Sequence, residues 1–85
     1  MGLELLKKFY YVAEEGSVTR AATRIHLTQS ALSKAISYFE YRLKTDLFVR
    51  TRRGMELTPQ GERLYAFAKR WSAKQITSKK LSMKK

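Results

Sequence analysis

Apolar positions recur at helical spacing in several stretches of this chain and at strand spacing in one. Near the N-terminus, Leu6, Phe9, Tyr10 and Ala13 fall at i, i+3, i+4 and i+7. That pattern predicts a helix over about Glu4–Glu15 with Gly16 as its stop. Ser17 is a good N-cap, and a shorter helix is expected over Val18–Ile25. Thr28 caps a third helix, Gln29–Leu43, whose Leu32, Ala35, Ile36, Phe39 and Leu43 share an arc of about 100° on a helical wheel. Two short extended runs follow, Phe48–Thr51 and Met55–Thr58, joined by the polar turn Arg52–Arg53–Gly54. Thr58 caps a last helix with Pro59 at its first position, where a missing N–H costs nothing. The apolar stripe of that helix is Leu64, Phe67, Ala68 and Trp71.

Only His26–Leu27–Thr28 separates the short capped helix from the long one. Ala21 and Ala22 put small side chains where two helices must cross closely, and Leu27 is expected to plug the turn. This is the sequence logic of a helix-turn-helix. Opposite its core stripe the third helix carries Ser30, Ser33, Lys34, Ser37 and Tyr41, with Gln29 at its tip and no carboxylate. Such a face approaches phosphates without repulsion and offers donors to base edges in a major groove. Arg50, Arg52 and Arg53 cluster near the tight turn, a projection suited to a phosphate backbone or a minor groove. A plain solvent face and a charged turn guarding an edge strand would use the same residues.

Charge tilts the balance. The chain of 85 residues is one small domain, with 18 Lys and Arg against 7 Asp and Glu, a net charge of +11. That excess favours nucleic acid or an anionic surface. It is uneven: residues 1–58 hold ten basic and six acidic side chains, residues 59–85 eight and one. There is no Cys and a single His, which excludes a disulfide framework, a thiolate nucleophile and a Cys- or His-rich zinc site. No cofactor or metal is expected, and no catalytic constellation is present. His26 is a lone imidazole in a turn, and Glu14 and Glu15, adjacent on a helix, point in different directions. Glu40 is expected to anchor the hairpin by pairing with Arg50, and Tyr10, Tyr11, Tyr38 and Tyr41 to form the rim of the core. No apolar run approaches the ~20 residues of a membrane span, so a cytoplasmic protein is expected.

Residues 1–71 resemble the N-terminal DNA-binding domain of LysR-type transcriptional regulators. The resemblance runs through Phe9, Val12–Ala13–Glu14–Glu15–Gly16–Ser17, Thr19–Arg20–Ala21–Ala22, Leu27–Thr28–Gln29, Ala31–Leu32–Ser33, Ile36, Phe39–Glu40, Leu43, Leu47–Phe48, Arg50, Leu57–Thr58 and Gly61. It implies a mainly α, winged helix-turn-helix domain over 1–58, a linker and dimerisation helix over 59–78, and a basic tail over 79–85. It also implies base readout by Gln29, Ser30, Ser33, Lys34 and Ser37. Backbone contacts would come from Ser17, Thr19, Arg20, Thr28, Arg50, Arg52 and Arg53, and dimerisation from Leu64, Phe67, Ala68 and Trp71. The expected partner is double-stranded DNA, read as an interrupted dyad by a homodimer. Two features depart from the family pattern: Ser30 stands where Pro is usual, and Lys44 where a Gly ends the third helix. Nothing in the 85 residues answers to the family's effector-binding domain. Two other roles fit the same sequence: an interaction protein forming mixed dimers with a full-length regulator, and a non-specific nucleic-acid binder using the lysine-rich end.

Overall fold

The computed structural model describes residues 3–70. Three helices, α1 (Leu3–Glu15), α2 (Val18–Arg24) and α3 (Gln29–Leu43), precede a hairpin of β1 (Phe48–Thr51) and β2 (Gly54–Leu57). A fourth helix, α4, is described over residues 59–70. The result is a mainly helical, winged helix-turn-helix. Trp71, the remainder of the expected 59–78 helix and the basic tail 79–85 lie outside the described residues.

Helices α2, α3 and α4 each begin where a side chain takes over an orphan N–H. The Ser17 hydroxyl accepts from the Arg20 N–H at 3.1 Å and opens α2. The Thr28 hydroxyl accepts from the Ala31 N–H at 3.0 Å and opens α3. The Thr58 hydroxyl accepts from Gly61 N–H at 3.0 Å and donates to the Asp46 carbonyl, so one side chain caps α4 and ties it to the start of the wing.

The apolar faces meet in one core. It gathers Leu6, Phe9 and Val12 from α1, Val18, Ala21 and Ala22 from α2, and Leu32, Ile36 and Phe39 from α3. Leu47, Phe48 and Ala68 complete it from the wing base and α4. Phe9 lies at its centre, its ring 6.2 Å from that of Phe39 and 5.3 Å from that of Phe48. Among the described residues no polar or charged side chain is buried. Ala21 and Ala22 are buried at the helix crossing, as their size predicts. Leu27 is a correction: it is exposed, and backbone closes the turn instead, with the Leu27 N–H donating to Ala22 O at 2.9 Å and His26 taking a φ of 62°.

The wing pairs antiparallel with Phe48 opposite Leu57 and Thr51 opposite Gly54. Gly54, at φ 115°, begins β2 one residue earlier than the alternation predicts, and an added Cβ there would meet the Gly16 carbonyl oxygen at 2.7 Å. The adjacent Met55 N–H donates to that same oxygen at 3.2 Å, which docks the wing on the α1–α2 turn. Gly61 does the corresponding work in α4, since a Cβ there would overlap the Leu47 carbonyl. Lys44 ends α3 in the left-handed conformation, φ 57° and ψ 40°, where a glycine is favoured.

The expected Glu40–Arg50 pair is not formed. Glu40 Oε2 instead accepts from the Leu47 and Phe48 N–H groups at 2.7 and 3.2 Å. The carboxylate does anchor the wing, but through backbone donors that a sequence pattern does not display. Tyr10 and Tyr11 sit at the core rim as expected, whereas Tyr38 and Tyr41 are exposed.

Candidate nucleic-acid interface

With Leu32, Ile36 and Phe39 committed to the core, α3 turns its opposite face to solvent. Gln29, Ser30, Lys34 and Ser37 are exposed and Ser33 is half-buried. None of these side chains is held by an ion pair among the described residues. The face presents amide, hydroxyl and ammonium groups with no carboxylate among them. Thr28 caps the helix, so the Gln29 and Ser30 N–H groups remain at its positive end beside those side chains.

The wing arginines divide into two sets. Arg50 pairs across from Met55 and shares its side of the hairpin with Phe48 and Leu57, the side that meets the helices. It lines a cleft of about 120 Å³ together with Ser17, Thr19 and Gln29. Four positions assigned from sequence to base or backbone contact thus converge, from two helix starts and one strand. Arg52 and Arg53 lie apart at the exposed turn. The Arg53 N–H donates to Thr51 Oγ1 at 3.1 Å, which braces the turn and leaves both guanidinium groups to solvent.

Ser17 and Thr28 are N-caps, so their oxygens already accept helix N–H groups and only their hydroxyl protons remain to give. Arg20 is exposed but tethered, its Nη2 donating to the Glu15 carbonyl at 2.8 Å. Arg24, which sequence reasoning passed over, forms a knot with α1. Its Nη1 is 3.1 Å from Glu15 and 3.8 Å from Glu14, and its guanidinium lies 4.6 Å from the centre of the Tyr11 ring. The two glutamates therefore converge on one arginine rather than diverging. No spacing along the chain relates them to Arg24, because the contact joins two helices.

On α4, Ala68 is buried in the protomer's own core and Leu64 is packed against it. Ala68 is therefore withdrawn from the expected dimer contact, and Phe67, 53% exposed, is the side chain of that stripe turned outward. Trp71 lies outside the described residues. Tyr65 joins α4 to α1, donating to Glu14 Oε2 at 2.8 Å and stacking 5.8 Å from Tyr10. Burial pushes its hydroxyl up to about 12, with the Glu14 hydrogen bond and charge adding to the effect. Among the described residues no group of three His, Cys, Asp or Glu side chains is placed to hold a metal ion, and no helix is long and apolar enough to cross a membrane.

This arrangement recurs in known proteins. Residues 3–62 match the model of the bacterial regulatory helix-turn-helix protein, lysR family. The chain is 48% identical over 65 residues to the HTH-type transcriptional regulator YofA of Bacillus velezensis, covering 76% of this chain and 23% of that protein. It is 46% identical over 68 residues to the HTH-type transcriptional regulator HdfR of Yersinia pestis, covering 80% and 23%. The chain thus spans about a quarter of the length of these curated relatives. Among solved structures it superposes on the BenM DNA-binding domain in complex with catB site 1 DNA with a TM-score of 0.85 at 30% identity, covering 99% of this chain and 94% of that one. The CbnR DNA-binding domain–DNA complex gives 0.79 at 32% identity, covering 98% and 95%.

Proposed function

The chain belongs to the lysR family of bacterial regulatory helix-turn-helix proteins, and from that premise we propose that it binds duplex DNA and reads base sequence as part of a transcriptional regulator. One observation carries the reading. The acid-free face of α3 begins at Gln29, in the same cleft as Arg50, Ser17 and Thr19. That neighbourhood supports a reading in which the Gln29 amide reads a base beside groups that suit a phosphate. The curated relatives are named as transcriptional regulators, and BenM and CbnR domains of this fold are seen on DNA.

The roles divide by chemistry. Gln29 pairs through its amide with an adenine edge, while Ser30, Ser33, Lys34 and Ser37 give single donors. Arg50, Arg52 and Arg53, with Ser17, Thr19, Arg20 and Thr28, neutralise or bond phosphates and set register. Two copies associate through α4, with Phe67 as the exposed apolar anchor, and read an interrupted dyad. The site binds rather than catalyses, and the protein acts in the cytoplasm, where its DNA lies. A mixed dimer with a longer relative would use the same Phe67 surface.

The test is a comparison of two variants on a panel of duplexes. Arg52→Ala is expected to weaken every duplex alike and to reduce the salt dependence by about one counterion. Gln29→Ala is expected to lose about 1–3 kcal/mol of discrimination at one base pair. Equal losses on all sequences for both variants would refute the division of roles.

A further inference from the structure

Tyr41 is the most exposed of the large apolar side chains described, at 77%. It follows Ser37 by one turn and Lys34 by two, so it extends the acid-free face of α3 toward the C-terminal end. Among the described residues no hydrogen bond or ring contact engages its side chain. Its neighbour Tyr38 is occupied, accepting from Arg42 Nη1 at 2.8 Å. Just beyond Tyr41 the left-handed Lys44 turns the chain away, and an open groove of about 700 Å³ remains, lined by Ser37, Tyr41, Arg42 and Lys44 among others. Two acids, Glu40 and Asp46, also line it, but the Glu40 carboxylate is taken up by the Leu47 and Phe48 N–H groups.

Distance decides what such a residue can meet. Tyr41 lies about 16 Å along the helix axis from Ser30. The major groove is about 12 Å wide and 8.5 Å deep. A helix whose tip reaches base edges therefore carries its position 41 out to the groove's rim, where phosphates and sugars lie. A phenol there has a hydroxyl to donate and a flat apolar ring to rest on a sugar. We infer that the Tyr41 hydroxyl donates a hydrogen bond to a DNA phosphate at the groove rim and so sets the tilt of α3 in the groove. This rests on the duplex-DNA reading proposed above.

Because the hydroxyl is neutral, its contact has a signature distinct from that of an arginine. Removing it lowers affinity without releasing fewer counterions. The test uses the whole 85-residue chain and a labelled duplex carrying the sequence that chain selects from a random library. Tyr41→Phe is expected to bind about three- to tenfold more weakly, by a similar factor on duplexes altered at each base pair, with an unchanged slope of log affinity against log salt. Its thermal midpoint should match the parent, since the side chain is exposed. Replacing single phosphates by methylphosphonate should reveal one position at which the parent loses affinity and Tyr41→Phe loses no more. Unchanged affinity, or a loss confined to one base pair, would overturn the inference while Gln29→Ala and Arg52→Ala still behaved as proposed. If the parent chain binds no duplex at all, the functional reading fails instead.

Discussion

Lys44 holds a left-handed backbone conformation that costs an L side chain about 1–2 kcal/mol. Glycine removes that strain, although its greater freedom in the unfolded chain offsets part of the gain. Lys44→Gly is therefore expected to raise stability by about 1 kcal/mol, read as a higher urea midpoint at unchanged slope. Gly61 predicts the opposite sign. A methyl group there would overlap the Leu47 carbonyl, a backbone atom that cannot swing aside. Gly61→Ala is expected to lose at least about 1–3 kcal/mol by overpacking, seen as a lower thermal midpoint. A Gly within a helical pattern shows from sequence only as a weak helix former. Its purpose becomes visible when the wing base lies against it. Leu27 and Tyr38 are exposed against expectation for a related reason: residue type reports a preference for burial, whereas exposure depends on which element arrives opposite.

The wing is attached to α3 by Glu40 and to the α1–α2 turn by Gly54 and Met55. Glu40→Ala strands two partly buried N–H groups and is expected to destabilise by about 1–3 kcal/mol. Arg50→Ala should leave stability within about 0.5 kcal/mol while weakening DNA binding. Comparable losses of stability in the two variants would restore the ion pair that the geometry excludes. The contact between α4 and α1 is pH-dependent through Tyr65, whose hydroxyl is raised from 10.0 to about 12. The folded chain therefore holds that proton more tightly than the unfolded one. The contribution is complete below pH 10 and is lost as pH rises through about 12. Stability measured across that window should fall less steeply for Tyr65→Phe than for the parent. Helices, caps and hairpin were readable within a residue or two because periodicity and capping are local. The partners of Glu40, Arg24 and Tyr65 were not, since each joins elements distant in sequence.

At the scale of the whole molecule, net charge and shape act together. In the proposed function a charge of +11 draws the chain to DNA over distances that salt screens, while the carboxylate-free face of α3 confers sequence preference at contact. The candidate base-reading residues were legible before the fold because a helical wheel places them together. The meeting of Gln29 with Arg50 in one cleft was not, because it depends on where the hairpin docks. In the proposed homodimer the exposed Phe67 is the apolar anchor, and Phe67→Ala should lower the self-association constant measured by sedimentation without lowering the thermal midpoint. The most direct test of the central claim is selection from a random duplex library by the 85-residue chain near physiological salt. An enriched motif is expected in which Gln29→Ala erases the preference at one base pair, repeated in inverted orientation when Phe67 is intact. Binding without enrichment, falling steeply as salt rises, would contradict it and leave a cationic domain that holds DNA without reading it.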